Sequence, residues 1–325
     1  RIIFEVLNNE RARDVLTAES LMHYMVKCAT ENVVISPSLD EFRRKKLIGN
    51  WLFSELTTQA TRQSLNGMGL MSVSVDNDKL RRMEVFGPLA QLVGSDEAAL
   101  SLLNVMASQF RTRFAVTHPD EVDTSADEFL PRRHEYYFQE HIQVADRTQL
   151  SWLPARAHTT NNRIEYILKL LTMRGIPSEK LRDNAEQLLS LVWKGFVDTG
   201  LAKIARKHGV DRQFDYSALR FASGKSTTWY KCSVCHVVTE FNCLDLCVNG
   251  KCEGTLVPFE PFSNENRKNH YAWLAENLEI VNLRALEHTA QWTPKKAAEV
   301  QDDFVHGKVN VLSCSTTFEL GVDVG

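Results

Sequence analysis

The sequence predicts a mixed fold: a long, mostly helical first part, a small cysteine-bearing β element, and a partial α/β unit with a parallel sheet at the end. Three observations carry this. Apolar residues recur at helical spacing through much of residues 1 to about 205, and five of the seven cysteines fall between 232 and 252. After residue 281 an apolar strand, a capped helix and a second apolar strand follow one another. The corresponding divisions are 1–210, 211–262 and 263–325.

The 325 residues accommodate about two domains, and a hydrophobic content of 43% is that of a soluble globular protein. A net charge of −3 excludes a global basic field. Local basic clusters (Arg43-Arg44-Lys45-Lys46, Arg132-Arg133 and Lys203 to His208) read as solvated helix faces and loops. No apolar run approaches the ~20 residues needed to span a bilayer, and no signal peptide opens the chain, so no membrane partner is expected. The chain begins with Arg1 and stops just beyond an apolar strand, which suggests a segment of a longer protein. Tightly clustered cysteines in a large chain point to a metal site in a reducing, cytoplasmic setting rather than to disulfides.

Along the first part, Ser38-Leu39-Asp40-Glu41 forms a capping box after Pro37 and opens a helix through Phe42, Leu47, Trp51, Leu52 and Leu56. Met71 to Val75 alternates as a half-buried strand should, and together these elements suggest a winged-helix-like unit. Further helices are predicted over 78–94, 96–115, 162–174 and 178–206. The stretch 117–160, with Pro119, Pro131 and Pro154, reads as irregular connection.

Ser223-Gly224-Lys225-Ser226-Thr227 imitates the end of a phosphate-binding loop. Such a loop needs a glycine five residues before Gly224, and that position is Leu219. Residues 214–221 make no convincing buried strand, and Trp229-Tyr230 stands where a helix should run. The segment reads as a polar linker.

Cys232-Ser233-Val234-Cys235 and Cys247-x4-Cys252 supply two ligand pairs, each on a turn that can direct two thiolates at one zinc ion about 2.3 Å away. Gly250 and Gly254 permit the second turn, while Tyr230 and Thr255-Leu256-Val257 offer short flanking strands, so the region resembles a zinc ribbon. Cys243-x3-Cys247 is also permissible spacing, which leaves Cys243 as an alternative third ligand. Four thiolates leave no open position, so the Zn2+ would be structural. A redox CxxC is the competing reading; it expects a helix N-terminus at the first cysteine, where Val237-Val238-Thr239 looks like a strand.

Residues 280–286 read as a buried strand. Thr293-Pro294 caps a helix through Ala297, Val300 and Phe304 that Gly307 closes, and Val309 to Leu312 is a second strand. Strand, helix and strand with short connections form a βαβ unit with parallel pairing. One such unit cannot bury both faces of its sheet.

The last segment, VNVLSCSTTFELGVDVG (309–325), resembles motif V of superfamily 2 helicases. Ala285 to Gln291, containing EHTAQ, resembles the family's strand end with its frequent His, and Asp302 to Gly307 resembles the helix end before motif V. With a cysteine-rich region ahead of them, these features resemble large bacterial DEAD/DEAH-type helicases linked to DNA repair or phage defence. In those proteins a helical, zinc-bearing insertion interrupts the second RecA-like domain. The specific likeness covers 281–325, with a weaker echo at Ser64 to Leu70.

The resemblance implies that Ser315, with Thr316, meets the nucleic-acid backbone, and that Gly321 and Asp323 face the nucleotide. His288 is a further motif position, or a residue that simply satisfies a backbone group. It also implies ATP and Mg2+ in the complete parent protein, nucleic acid (DNA by resemblance) as substrate, and the rest of the helicase chain and repair or defence proteins as partners. The chain lacks a phosphate loop and an arginine-finger motif, and Asp40-Glu41 and Asp120-Glu121 lack the strand that precedes an Asp-Glu-x-x motif. It therefore carries no catalytic residues, and no ATP hydrolysis is expected of it alone. The alternative is a non-enzymatic zinc-ribbon and winged-helix module that binds nucleic acid or docks a partner.

Overall fold

Asp40, not Ser38, caps the helix that begins at Glu41: its carboxylate accepts from the Arg43 amide at 2.8 Å, while the Ser38 hydroxyl turns to Ser36 at 2.8 Å. An ionised acceptor also suits the positive end of the helix dipole, which favours the acid over the hydroxyl. The computed structural model describes residues 1–9, 15–58, 61–130, 134–142, 147–154, 159–205, 209–263, 269–281, 284–288 and 293–314. Its opening elements are α1 (Ile2–Asn8), β1 (Leu16–Thr17), α2 (Ala18–Glu31) and α3 (Glu41–Thr57).

There follow β2 (Met71–Val75), α4 (Asn77–Arg81), α5 (Phe86–Val93) and α6 (Asp96–Arg111). The single helix predicted over 78–94 is broken because Pro88 has no amide hydrogen for the carbonyl one turn earlier. Gly94, at φ +91°, turns the chain, and Ser95 caps α6 by accepting from Ala98 at 3.1 Å. The stretch read as irregular connection contains β3 (Tyr137–Gln139) and β4 (Gln149–Ser151).

Next come α7 (Asn162–Met173), α8 (Ser178–Asp198), β5 (Ala202–Ile204) and β6 (Arg212–Phe214). α8 stops short of 206 because Gly200 adopts φ +69° and sends the chain into β5. The remaining elements are β7 (Leu219–Ser223), β8 (Trp229–Cys232), β9 (Val238–Thr239), β10 (Leu256–Phe259), α9 (His270–Asn277), β11 (Ala285–His288), α10 (Pro294–Val305) and β12 (Val311–Cys314).

The fold is thus mixed α/β with several small sheets. One has the order β1-β7-β2, a second β4-β3-β6-β5, a third β10-β8-β9, and the last pairs β11 with β12. β2 is buried on both faces rather than half-buried, and its ladder partner is β7, about 150 residues further on. The region 214–221 therefore does lead into a central strand. Its imitation phosphate loop is a short 3-10 turn in which Ser223 caps Lys225, and β8, not a helix, comes next. A Cβ on Gly224 would lie 2.1 Å from the Gly69 carbonyl oxygen, so this glycine serves close backbone packing.

Contacts divide the chain into two compact units, one of residues 1–26 and 40–278, the other of 27–39 and 279–325. The first has an aromatic centre. Phe110 on α6 packs against Phe138 at 4.7 Å, Trp152 at 5.4 Å and Phe214 at 5.5 Å between ring centroids. Arg163 is buried there, donating to the carbonyls of Trp152 (3.0 Å) and Ser151 (2.7 Å) with its guanidinium over the Trp152 and Phe138 rings. Burial, then the nearby charge of Arg113, lowers its pKa to about 9. Among the described residues no helix is long and apolar enough to cross a membrane.

In the second unit β11 and β12 pair in parallel, from Ala285 opposite Val311 to His288 opposite Cys314. α10 joins them: Thr293 caps it by accepting from Lys296, and Gly307 closes it at φ +69°. β11 starts later than the predicted 280–286. The Asn310 side chain accepts from the Arg284 amide at 2.8 Å, and the Asn310 amide donates back to Arg284 at 2.9 Å, which sets where the ladder begins.

Candidate metal centre

β8 ends in Cys232, and a tight turn carries the chain through Cys235 to β9, which pairs back on β8 with Tyr230 opposite Thr239. A second turn, closed by a bridge between Leu246 and Thr255, carries Cys247 and Cys252 and delivers β10 to the other side of β8. The strand sequence β10-β8-β9 thereby stacks the two cysteine turns at one end of a three-stranded antiparallel sheet.

The sulfurs of Cys232, Cys235, Cys247 and Cys252 all lie within 4.8 Å of one another. Cys232 and Cys252 are 3.7 Å apart, Cys235 and Cys247 3.5 Å. A disulfide would need about 2.05 Å. Four thiolates about 2.3 Å from a tetrahedral ion stand roughly 3.8 Å from each other, so the spacing fits a metal centre.

Each sulfur has a backbone amide two residues on. The amides of Val234 and Gly254 donate to Cys232 and Cys252, both at 3.4 Å, and those of Val237 and Asn249 serve Cys235 and Cys247. Such donors stabilise thiolate charge and orient the ligands. Burial opposes ionisation of Cys232, but the amides of Val234 and Cys235 prevail and bring its thiol down to about 7. Burial dominates at Cys235 and Cys247, whose thiols are pushed up.

The second turn is seated on α7. The Asn162 side chain accepts from the Gly250 amide at 2.7 Å and donates to the Val248 carbonyl at 3.2 Å. Lys169 reaches the Cys252 carbonyl, and a Cβ on Gly250 would lie 2.2 Å from the Asn162 carbonyl oxygen. The first turn is held by Arg62, which donates to the Cys235 carbonyl at 3.1 Å. The sequence reading missed Arg62, Asn162 and Lys169, since they lie 83 or more residues from their partners. No local pattern marks them.

The structure brings Cys247 and not Cys243 into the quartet. Cys243 is buried near Tyr166, and burial pushes its thiol up to about 11. Leu244 and Asp245, both left-handed at φ +56° and +57°, turn the chain between Cys243 and the second pair. No helix starts at Cys232 or Cys235, as a redox CxxC would have it; His236 at φ +59° bends the chain directly towards β9.

Of the residues assigned through the helicase resemblance, His288 is the last residue of β11 and pairs with Cys314, the last of β12. Ser315, Thr316, Gly321 and Asp323 lie outside the described residues. No protein-family model, no curated protein and no solved structure matches the chain.

Proposed function

We propose that the chain belongs to an ATP-dependent nucleic-acid helicase or translocase, DNA by resemblance, and that its four clustered cysteines hold a structural zinc ion. The observation that supports this reading most is the parallel pairing of β11 with β12. EHTAQ and CSTTFELGVDVG, the two segments that resemble helicase motifs, leave the carboxyl ends of these neighbouring strands at the paired residues His288 and Cys314. In open α/β sheets ligands bind at carboxyl strand ends. On this reading 263–325 starts the second RecA-like domain, and the helical and cysteine-bearing part before it is the insertion.

The roles follow from chemistry. Ser315 and Thr316 offer hydroxyls to phosphate oxygens, contacts that fix position without reading sequence. Gly321 and Asp323 face the nucleotide, with the Asp323 carboxylate accepting from a ribose hydroxyl. One segment that touches both ligands couples hydrolysis to strand movement. Cys232, Cys235, Cys247 and Cys252 would hold the zinc, which cross-links two turns and leaves no position for catalysis; free thiols of this kind suit the cytoplasm.

The test is the parent reading frame and its product. G-x-x-x-x-G-K-[ST] and D-E-x-x upstream, Q-x-x-G-R-x-G-R downstream, and strand-stimulated ATP hydrolysis abolished by Asp323→Ala are the expected results. A product without these motifs and without ATPase activity overturns the helicase reading. The account would then be a non-enzymatic binding module, which the separate compact unit bearing the cysteine turns favours.

A further inference from the structure

Beside the cysteine turns lies a cleft of about 740 Å³, walled by residues 235–241, by the C-terminal turn of α6, and by the loop after α3. We propose that this cleft binds a single strand of nucleic acid through its phosphodiester groups, held by Arg62, Arg113 and Lys251. The proposal deepens the nucleic-acid reading above and rests on it.

Charge is the first argument. The three cations come from three separate elements, and the acid among the lining residues is Glu240. Its carboxylate is already engaged: it accepts from the Val73 amide at 2.8 Å, from Asn66 at 3.1 Å and from the Ser72 hydroxyl at 3.2 Å, with the charge of Arg111 nearby. Arg111 in turn donates to Asn66 at 2.8 Å. Glu240 and Arg111, both bonded to Asn66, offset each other's charge, which leaves Arg62, Arg113 and Lys251 as the uncompensated charges of the lining. Arg113 and Lys251 are exposed and have no carboxylate partner among the described residues. Arg62 spends one guanidinium nitrogen on the Cys235 carbonyl and keeps further donors.

Shape and lining give the ligand class. The volume is in the range of small-ligand clefts, room for a nucleotide or two of an extended strand and not for a duplex. Cations supplied by three separate segments suit successive phosphates. The lining offers two aromatic rings, Phe241 and the His236 imidazole, so stacking engages a base or two and sequence preference is weak. Because Cys235 to Phe241 form one wall and Arg62 binds the Cys235 carbonyl, the metal centre also shapes the strand site.

The experiment is fluorescence anisotropy of labelled oligo(dT), about ten nucleotides long, with the full zinc-loaded chain. Three phosphate contacts predict about a 20-fold loss of affinity between about 50 and 200 mM salt. The Arg62→Gln/Arg113→Gln/Lys251→Gln variant should lose most of the binding and most of the salt slope; Arg113→Gln/Lys251→Gln, which keeps the Arg62 bond to the Cys235 carbonyl, should lose about two thirds of the slope with zinc content and Tm unchanged. Arg43→Gln/Lys45→Gln/Lys194→Gln, which removes as much charge elsewhere on the exposed surface, should bind nearly as the wild type does. No oligo(dT) binding by the wild type, equal loss in both triple variants, or displacement by inorganic tripolyphosphate at equal phosphate concentration overturns the proposal. The helicase reading fails separately: strand binding through these three residues in a parent without ATPase activity keeps the cleft and removes the motor.

Discussion

Gly254 lies so close to Cys232 that a Cβ on it would stand 2.5 Å from the Cys232 sulfur, while its own amide donates to the Cys252 sulfur at 3.4 Å. One residue without a side chain therefore spaces one ligand and orients another. Gly254→Ala should lower zinc affinity about 10- to 100-fold, the loss usual when a ligand's supporting hydrogen bond is disturbed. Competition with a chromophoric chelator measures it; unchanged affinity would mean that the turn relaxes freely and that the close approach has no consequence.

The quartet divides the cysteines cleanly. Zinc content should be one ion per chain for the wild type and for Cys243→Ala, and near zero for Cys247→Ser. Elemental analysis after gel filtration decides. Zinc retained by Cys247→Ser and lost by Cys243→Ala would exchange the third ligand.

His236 holds φ +59°, a left-handed conformation that costs an L-residue about 1–2 kcal/mol. It is no ligand in the quartet. His236→Gly should therefore leave zinc content unchanged and stability unchanged or raised by up to about 1 kcal/mol. Denaturant unfolding with zinc present checks this, and a marked loss of stability would assign the imidazole a contact of its own.

Glu135 and His118 make a pH-dependent pair at 3.1 Å. Burial opposes the Glu135 charge, but hydrogen bonds from His118, Gln213 and Thr124 outweigh it and hold the carboxyl at about 2, below its usual 4.5. Its contribution is therefore present above about pH 4.5 and lost as pH falls towards 2. His118 has the opposite sense. Burial lowers its pKa, the Glu135 and Pro119 hydrogen bonds raise it more, and its contribution is full below 6.5 and lost as pH rises through the raised value. The pair should be worth most between about pH 4.5 and 6.5. Tm of wild type minus Tm of Glu135→Gln should peak there; a difference that is flat with pH would refute the coupling.

What sequence could reveal follows the range of the interactions. The two cysteine pairs and the Thr293-Pro294 helix closed by Gly307 are local patterns, and the structure reproduces the helix start and brings the pairs together. Pro88 is an equally local signal, and it divides the helix predicted over 78–94. By contrast β7, where the sequence shows no convincing buried strand, is a strand only because β1 and β2 are there to pair with it. Arg163, on the buried face of α7, is invisible in the sequence as a buried cation until Trp152 and Phe138 flank it. The cleft beside the metal centre depends on long-range neighbours in the same way. For the helicase-like residues 315–323 the strand leading to them is described and they themselves are not.

The sheet with β7 in the middle also sets an order of events during synthesis. Leu16 and Thr17 pair with Phe221 and Arg220, and Met71 to Val75 pair with the same strand. A ribosome adding about 5–20 residues per second takes roughly 10–40 s to cross the ~200 residues separating the first strand from its partner. During that interval the apolar faces of β1 and β2 have left the tunnel with no ladder to join. Until β7 emerges both strands keep their backbone donors and acceptors unpaired, and a pause placed before that point lengthens the exposure.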